Sequence, residues 1–218
     1  MLSVEERAEL LRAAEKVQQA AARHLSANPN KQYAITFVAN LQRGVDSVMH
    51  TATDQGLHVD CKAGCSYCCH VRVQALDPEI FRIARELRKY SPEELQLLLA
   101  RLQSHATVVK GVSIADHRTA CPFLEDNMCS IYEVRPAVCR KAHSLDVEKC
   151  KLPGEDIPQS LDVILKAEAL MKGTTDAYRQ VDLSATGHEL GQAVLLALTD
   201  ETAESRWYAG EAIFDELK

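Results

Sequence analysis

Cys61-Lys62-Ala63-Gly64-Cys65-Ser66-Tyr67-Cys68-Cys69-His70 places four cysteines within nine residues. Ligands two or three residues apart on a tight loop can converge on one centre, and Gly64 gives such a loop its backbone freedom. The other four cysteines are Cys121, Cys129, Cys139 and Cys150, and none lies before position 61 or after position 150. Scattered core thiols do not crowd in this way. The pattern predicts a mainly α protein, a helical domain wrapped around a cysteine-rich metal-binding centre with a small β-hairpin or knuckle.

The flanks carry the helices. Ser3 and Glu6 form a capping box, and Leu10, Leu11, Ala14, Val17 and Ala21 recur at helical spacing until Asn28-Pro29. A second helix is predicted from about 32 to 53, with Ile35, Val38, Leu41, Val45, Val48 and Met49 on one stripe. Asp77-Pro78-Glu79 reads as N-cap followed by proline at the first helical position, opening a helix to about Tyr90. Ser91-Pro92-Glu93-Glu94 repeats that grammar, and Gly111 closes the helix it opens. Cys121 to Tyr132 reads as a hairpin around Glu125-Asp126-Asn127, followed by a short helix from Glu133 to His143. A loop at Pro153, Gly154 and Pro158 precedes two or three helices, with breaks expected near Gly173 and Thr186-Gly187. The expected organisation is a helical hairpin over 1–60, a metal-binding domain over 61–150 and C-terminal helices over 151–218, together one compact unit.

Composition narrows the function. Apolar residues make up 46% of the 218 residues, enough for an ordinary core. No apolar run reaches the roughly 18 residues of a membrane span. The net charge of −6 is spread along the chain, and four Phe and one Trp are not interleaved with basic residues. That balance argues against nucleic acid as the main partner, while a protein partner stays open. The stretch from Met1 to Glu15 is rich in Glu and Arg and lacks an apolar h-region, so it reads as a helix rather than a signal peptide. A cytoplasmic, reducing location is therefore expected, where structural disulfides are rare and thiolate-bound metal is the usual use of many cysteines.

All eight cysteines are candidate ligands: Cys61, Cys65, Cys68, Cys69, Cys121, Cys129, Cys139 and Cys150. Neighbours such as Cys68 and Cys69 leave the backbone in different directions. They suit a polynuclear cluster, two nearby metals, or one ligand beside a bystander. Cys150 lies outside the tightest part of the pattern. Arg135 and Arg140 are candidates to offset thiolate charge and donate hydrogen bonds to sulfur, with Lys141 either joining them or facing solvent. His70, His117 and His143 are weaker ligand candidates. Asp116-His117 reads more simply as surface and capping residues.

Cys61-x3-Cys65-x2-Cys68-Cys69, with Cys121-Pro122-Phe123-Leu124, Cys129-Ser130-Ile131-Tyr132, Arg135-Pro136 and Cys139-Arg140, resembles the YkgJ-type cysteine cluster family. The resemblance spans roughly residues 61–150 and implies zinc or iron chelation by the matching cysteines. Flagellin lysine N-methylases carry a similar signature, which keeps an enzyme role open. No Ser/His/Asp order, phosphate loop, Rossmann fingerprint or HExxH motif supports catalysis, however. The C-x3-C-x2-C subpattern also occurs in radical SAM enzymes, but their barrel needs alternating strands and helices that this chain lacks. The leading expectation is a cysteine-ligated iron–sulfur cluster, or iron, in a redox, metal-handling or sensing role; the alternative is a zinc-stabilised structural or interaction protein. Thiol titration of the denatured protein under chelation should count about eight free thiols. Stable disulfides in the native protein would overturn the reducing-compartment expectation.

Overall fold

The computed structural model describes residues 3–113, 117–152 and 156–217. Helices α1 (Val4–Ala27), α2 (Lys31–Phe37) and α3 (Ala39–Asp54) come first. Strand β1 (Gln74–Leu76) leads into α4 (Asp77–Leu87) and α5 (Pro92–Val109). Strands β2 (Leu124–Glu125) and β3 (Met128–Cys129) precede the short helices α6 (Ala137–Lys141) and α7 (Val147–Cys150). Helix α8 (Leu161–Gln180), strand β4 (Gly187–Glu189), α9 (Leu190–Thr199) and α10 (Ala203–Tyr208) complete the order. The fold is mainly α with a small hairpin, as the sequence predicts. No helix among the described residues is long and apolar enough to cross a membrane.

The chain divides into two compact units that interleave along the sequence, Met1–Cys61 with Arg140–Ala185 and Lys62–Cys139 with Thr186–Lys218.

In the first unit α1 packs along α8, and α3 packs on α8 as well. Long-range packing on α8 thus joins the contacts of α2 with α1 and α3 inside residues 1–60. Gly173 explains why. It lies buried in the middle of α8, and a Cβ there would sit 2.3 Å from the Ala14 carbonyl and 2.6 Å from Val17 Cβ. The residue that read as a helix break is a contact point that lets two helix backbones approach. Tyr178, fully buried, donates its hydroxyl to the Ala34 carbonyl at 2.6 Å and meets Phe37 edge-on. The second helix expected from the sequence is broken at Val38, which separates α2 from α3.

The second unit has a feature the sequence reading missed. β1 and β4 pair antiparallel, Gln74 opposite Glu189 and Leu76 opposite Gly187, so Thr186-Gly187 enters a strand rather than breaking a helix. Helix α4 buries Ile80, Phe81, Ile83, Ala84 and Leu87 and packs on α9, while Phe81 also meets Trp207 and Phe214. Arg85 grips Glu204 through two hydrogen bonds of 3.0 and 2.8 Å. Asp77 is not a cap. Its carboxylate is buried and accepts the Thr186 amide at 2.6 Å, tying the start of α4 to the entry of β4. The helix expected over 133–143 is divided because Pro136 lacks an amide hydrogen and pushes Arg135 to extended backbone.

Gly173→Ala should destabilise the protein by about 2–3 kcal/mol, an overpacking effect against backbone. Gly44→Ala, whose new Cβ would meet only the Leu170 side chain at 3.2 Å, should lose less than about 1 kcal/mol in the same urea titration.

Candidate metal centre

The first cysteine segment is a turn followed by a single helical turn. Cys65 N–H closes back on the Lys62 carbonyl at 3.0 Å, with Gly64 at φ +82, the positive angle that a type II turn requires at its third position. Residues Tyr67–His70 then form a 3-10 turn in which Cys69 N–H reaches the Ser66 carbonyl at 2.9 Å. The second segment is the β2–β3 hairpin, whose two-residue turn Asp126-Asn127 takes φ 48 and 61, the left-handed pair of a type I′ turn. Leu124 stands opposite Cys129.

Two contacts join these segments within the second unit. Cys121 N–H donates to the Cys69 carbonyl at 2.7 Å, and the Ser66 hydroxyl donates to Asn127 Oδ1 at 3.1 Å. The third segment, α6, is held at its start by Glu79. That buried carboxylate accepts the Ala137 amide at 2.7 Å and the Leu76 amide at 3.2 Å. Cys139 N–H in turn reaches the Pro136 carbonyl.

Five thiols, Cys68, Cys69, Cys121, Cys129 and Cys139, come within electrostatic reach of one another. Cys68 donates its S–H to Cys69, which raises the Cys68 pKa and lowers that of Cys69. Burial pushes the Cys121 thiol up to about 12, with the negative fields of Cys129 and Glu189 adding to the effect. Burial and neighbouring Cys121 and Cys68 push Cys139 up as well. The Arg135 guanidinium, stacked 3.6 Å over the Tyr132 ring, acts in the opposite sense on Cys68. Among the described residues no three His, Cys, Asp or Glu side chains stand in a finished coordination shell. The donor chemistry nonetheless suits a soft or borderline metal, because three backbone segments of one unit supply five sulfur atoms.

The remaining sequence candidates fall elsewhere. Cys61 and Cys150 belong to the first unit, where Cys61 Sγ accepts the Ser144 amide at 3.3 Å and neighbouring Asp60 accepts the amide of Val147, the first residue of α7. Arg140 pairs with Asp46 at 2.5 Å and Lys141 with Glu168, both in that unit. His143 uses both ring nitrogens, donating Nδ1–H to the Lys141 carbonyl and accepting the Ser160 amide on Nε2. It has no lone pair left for a metal. His70 donates Nδ1–H to the Ser66 carbonyl. His117 is buried rather than a surface residue, and Asp116, like Pro153 and Gly154, lies outside the described residues.

Sequence reasoning missed a buried group in the second unit. Helix α5 brings His105 to Glu189 at 3.1 Å, and the same carboxylate caps α9 through the Gly191 and Gln192 amides. Burial works to raise the Glu189 carboxyl, but the His105 ring N–H and the two amides outweigh it and hold the pKa below the usual carboxylate range. No local pattern could announce a pair 84 residues apart, one on α5 and the other at the start of α9.

No curated protein and no solved structure matches the chain. One family model does, that of the CxxCxxCC family, described as "putative zinc- or iron-chelating domain", over residues 60–157. The matched segment is a little under half of the chain and contains all eight cysteines. Residues 60–157 match the model of this cysteine cluster family, consistent with the resemblance carried by their motifs.

Proposed function

We propose that the protein holds iron, as an iron–sulfur cluster or as bound iron, on cysteine thiolates, and acts in redox chemistry, metal handling or sensing. The observation that supports this is the group of five thiols in mutual reach in the second unit. One tetrahedral zinc takes four ligands, so a fifth sulfur, with Cys68 and Cys69 adjacent, favours a polynuclear centre. Cys65 enters the ligand set through its turn beside Cys68, and Cys61 and Cys150 enter it on sequence spacing alone. The zinc alternative is the same centre without redox chemistry. Anaerobically purified protein should be brown, with broad visible absorption and iron by elemental analysis. Colourless protein with stoichiometric zinc would replace this reading by the alternative.

Metal binding should stabilise the fold, since only the folded chain brings the three segments together. At free metal a thousand times Kd the gain is about 4 kcal/mol, roughly 10 °C in Tm for a chain of this size. Cys139→Ser should lose metal and most of that shift, with Cys65→Ser behaving alike and Cys150→Ser affected least. Full metal content and unchanged Tm in both Cys139→Ser and Cys65→Ser would show the ligands to be misassigned.

The raised thiols also fix a pH dependence. Each protonated thiol must release its proton to bind metal, so affinity falls about tenfold per pH unit per proton displaced as the solution is acidified. The metal-free protein behaves in the opposite direction. Its Cys121 pKa lies above the unfolded value of about 8.5, so the stability held by the neutral thiol is complete below that pH and is lost as pH rises toward about 12. Calorimetry of the chelated protein should show Tm declining from pH 8.5 upward, and a Tm that climbs over that range would contradict the burial of Cys121.

A further inference from the structure

The buried group beside Cys121 is built like a metal-binding histidine pair. A histidine that ligates a metal through one ring nitrogen almost always gives its other N–H to a carboxylate or a backbone carbonyl, which fixes the tautomer. His105 meets that description, its Nε2–H donating to Glu189 at 3.1 Å. His117 meets it too, its Nε2–H donating to the Thr119 carbonyl at 3.2 Å. In each neutral ring the lone pair is thereby left on Nδ1.

Both Nδ1 atoms are buried, and neither has a hydrogen-bond partner among the described residues. His105 is 6% exposed and His117 2%. An unsatisfied buried polar atom is costly, so two in neighbouring rings call for an occupant. The ring centres are 6.0 Å apart. Two imidazoles sharing one ion through bonds of about 2.0–2.1 Å stand roughly 5–6 Å apart, centre to centre.

The pair lies in the same unit as the five thiols. Gly191 leaves the space in which the His105 ring and Pro122 meet, since a Cβ there would lie 2.5 Å from His105 Cδ2 and 3.1 Å from Pro122 Cγ. Pro122 follows Cys121 directly, and the Glu189 charge is felt at Cys121. His70 differs in kind, with its proton on Nδ1 and only Nε2 left to offer.

We propose that His105 and His117 bind the metal through Nδ1, giving the thiolate centre a nitrogen edge at Cys121. The inference rests on the reading that the cysteines hold metal, and it changes the expected donor set from sulfur alone to mixed nitrogen and sulfur. Glu189 is then the positioning residue that orients His105.

The test uses the full chain loaded with Zn²⁺ alone. X-ray absorption at the zinc edge should show a nitrogen shell at about 2.0–2.1 Å with imidazole scattering beside sulfur at about 2.3 Å. Nitrogen-15 spectra of the rings should show the Nδ1 signals of two histidines moving on zinc addition while their Nε2 atoms stay protonated. His105→Gln and His117→Gln should each lower zinc affinity at least about tenfold and remove one of those signals. Glu189→Gln should weaken affinity while keeping both imidazoles in the shell. A shell of sulfur only, or a shift confined to an Nε2 atom, overturns the proposal and leaves the cysteine reading intact. A shell without sulfur overturns both, and failure to retain zinc overturns the nitrogen donors while the iron content of the anaerobic protein decides the cysteine reading. If a glutamine variant does not fold, the wild-type shell and ring signals decide by themselves.

Discussion

The hydrogen bond from the Cys121 amide to the Cys69 carbonyl, 2.7 Å long, joins two stretches of chain that neither a helix nor a sheet would otherwise bring together. One end lies in a 3-10 turn, the other at the mouth of a two-residue hairpin. Ser66 and Asn127 add a second tie on the same side. Glu79 does the equivalent work for Cys139 by accepting the amide of Ala137. Thiol positions in this unit are therefore set by backbone bonds and a buried carboxylate, before any metal contributes.

Burial and charge disfavour ionisation of Cys68, Cys121 and Cys139. Burial disfavours the thiolate, and each thiolate formed disfavours the next. Glu79 and Glu189 fix backbone close to Cys139 and Cys121, so the same carboxylates that order the site add negative field to it. Cys69 is eased toward ionisation by the S–H of Cys68. A cation held by these sulfurs would offset that penalty, so metal uptake would displace protons.

Much of this was legible in the residues because it is local. Capping boxes at Ser3 and Ser91, the left-handed turn at Asp126-Asn127 and the cysteine spacing each depend on a few neighbours. What was not legible is long-range. The Gln74–Glu189 strand pair, the Gly173 crossing on Ala14 and the His105–Glu189 contact join residues whose local sequence gives no sign of the other. Asp77 shows the limit most sharply. Its position before Pro78 has the grammar of a cap, yet burial and the Thr186 amide put its carboxylate to a tertiary use.

The interleaving of the two units has a consequence for biosynthesis. The α1 surface that Gly173 receives is made early, but α8 emerges only after every cysteine has been synthesised, and β4 and α9 later still. Neither unit can close on the ribosome while its second segment is missing, and at about 5–20 residues per second the thiols wait several seconds without their packing partners. During that interval Cys65 to Cys139 are as open to oxidants and to the wrong metal as any unfolded chain. A nascent chain stalled before residue 186 would present its cysteines without β4 and α9, whose Gly191 leaves room for the His105 ring and Pro122.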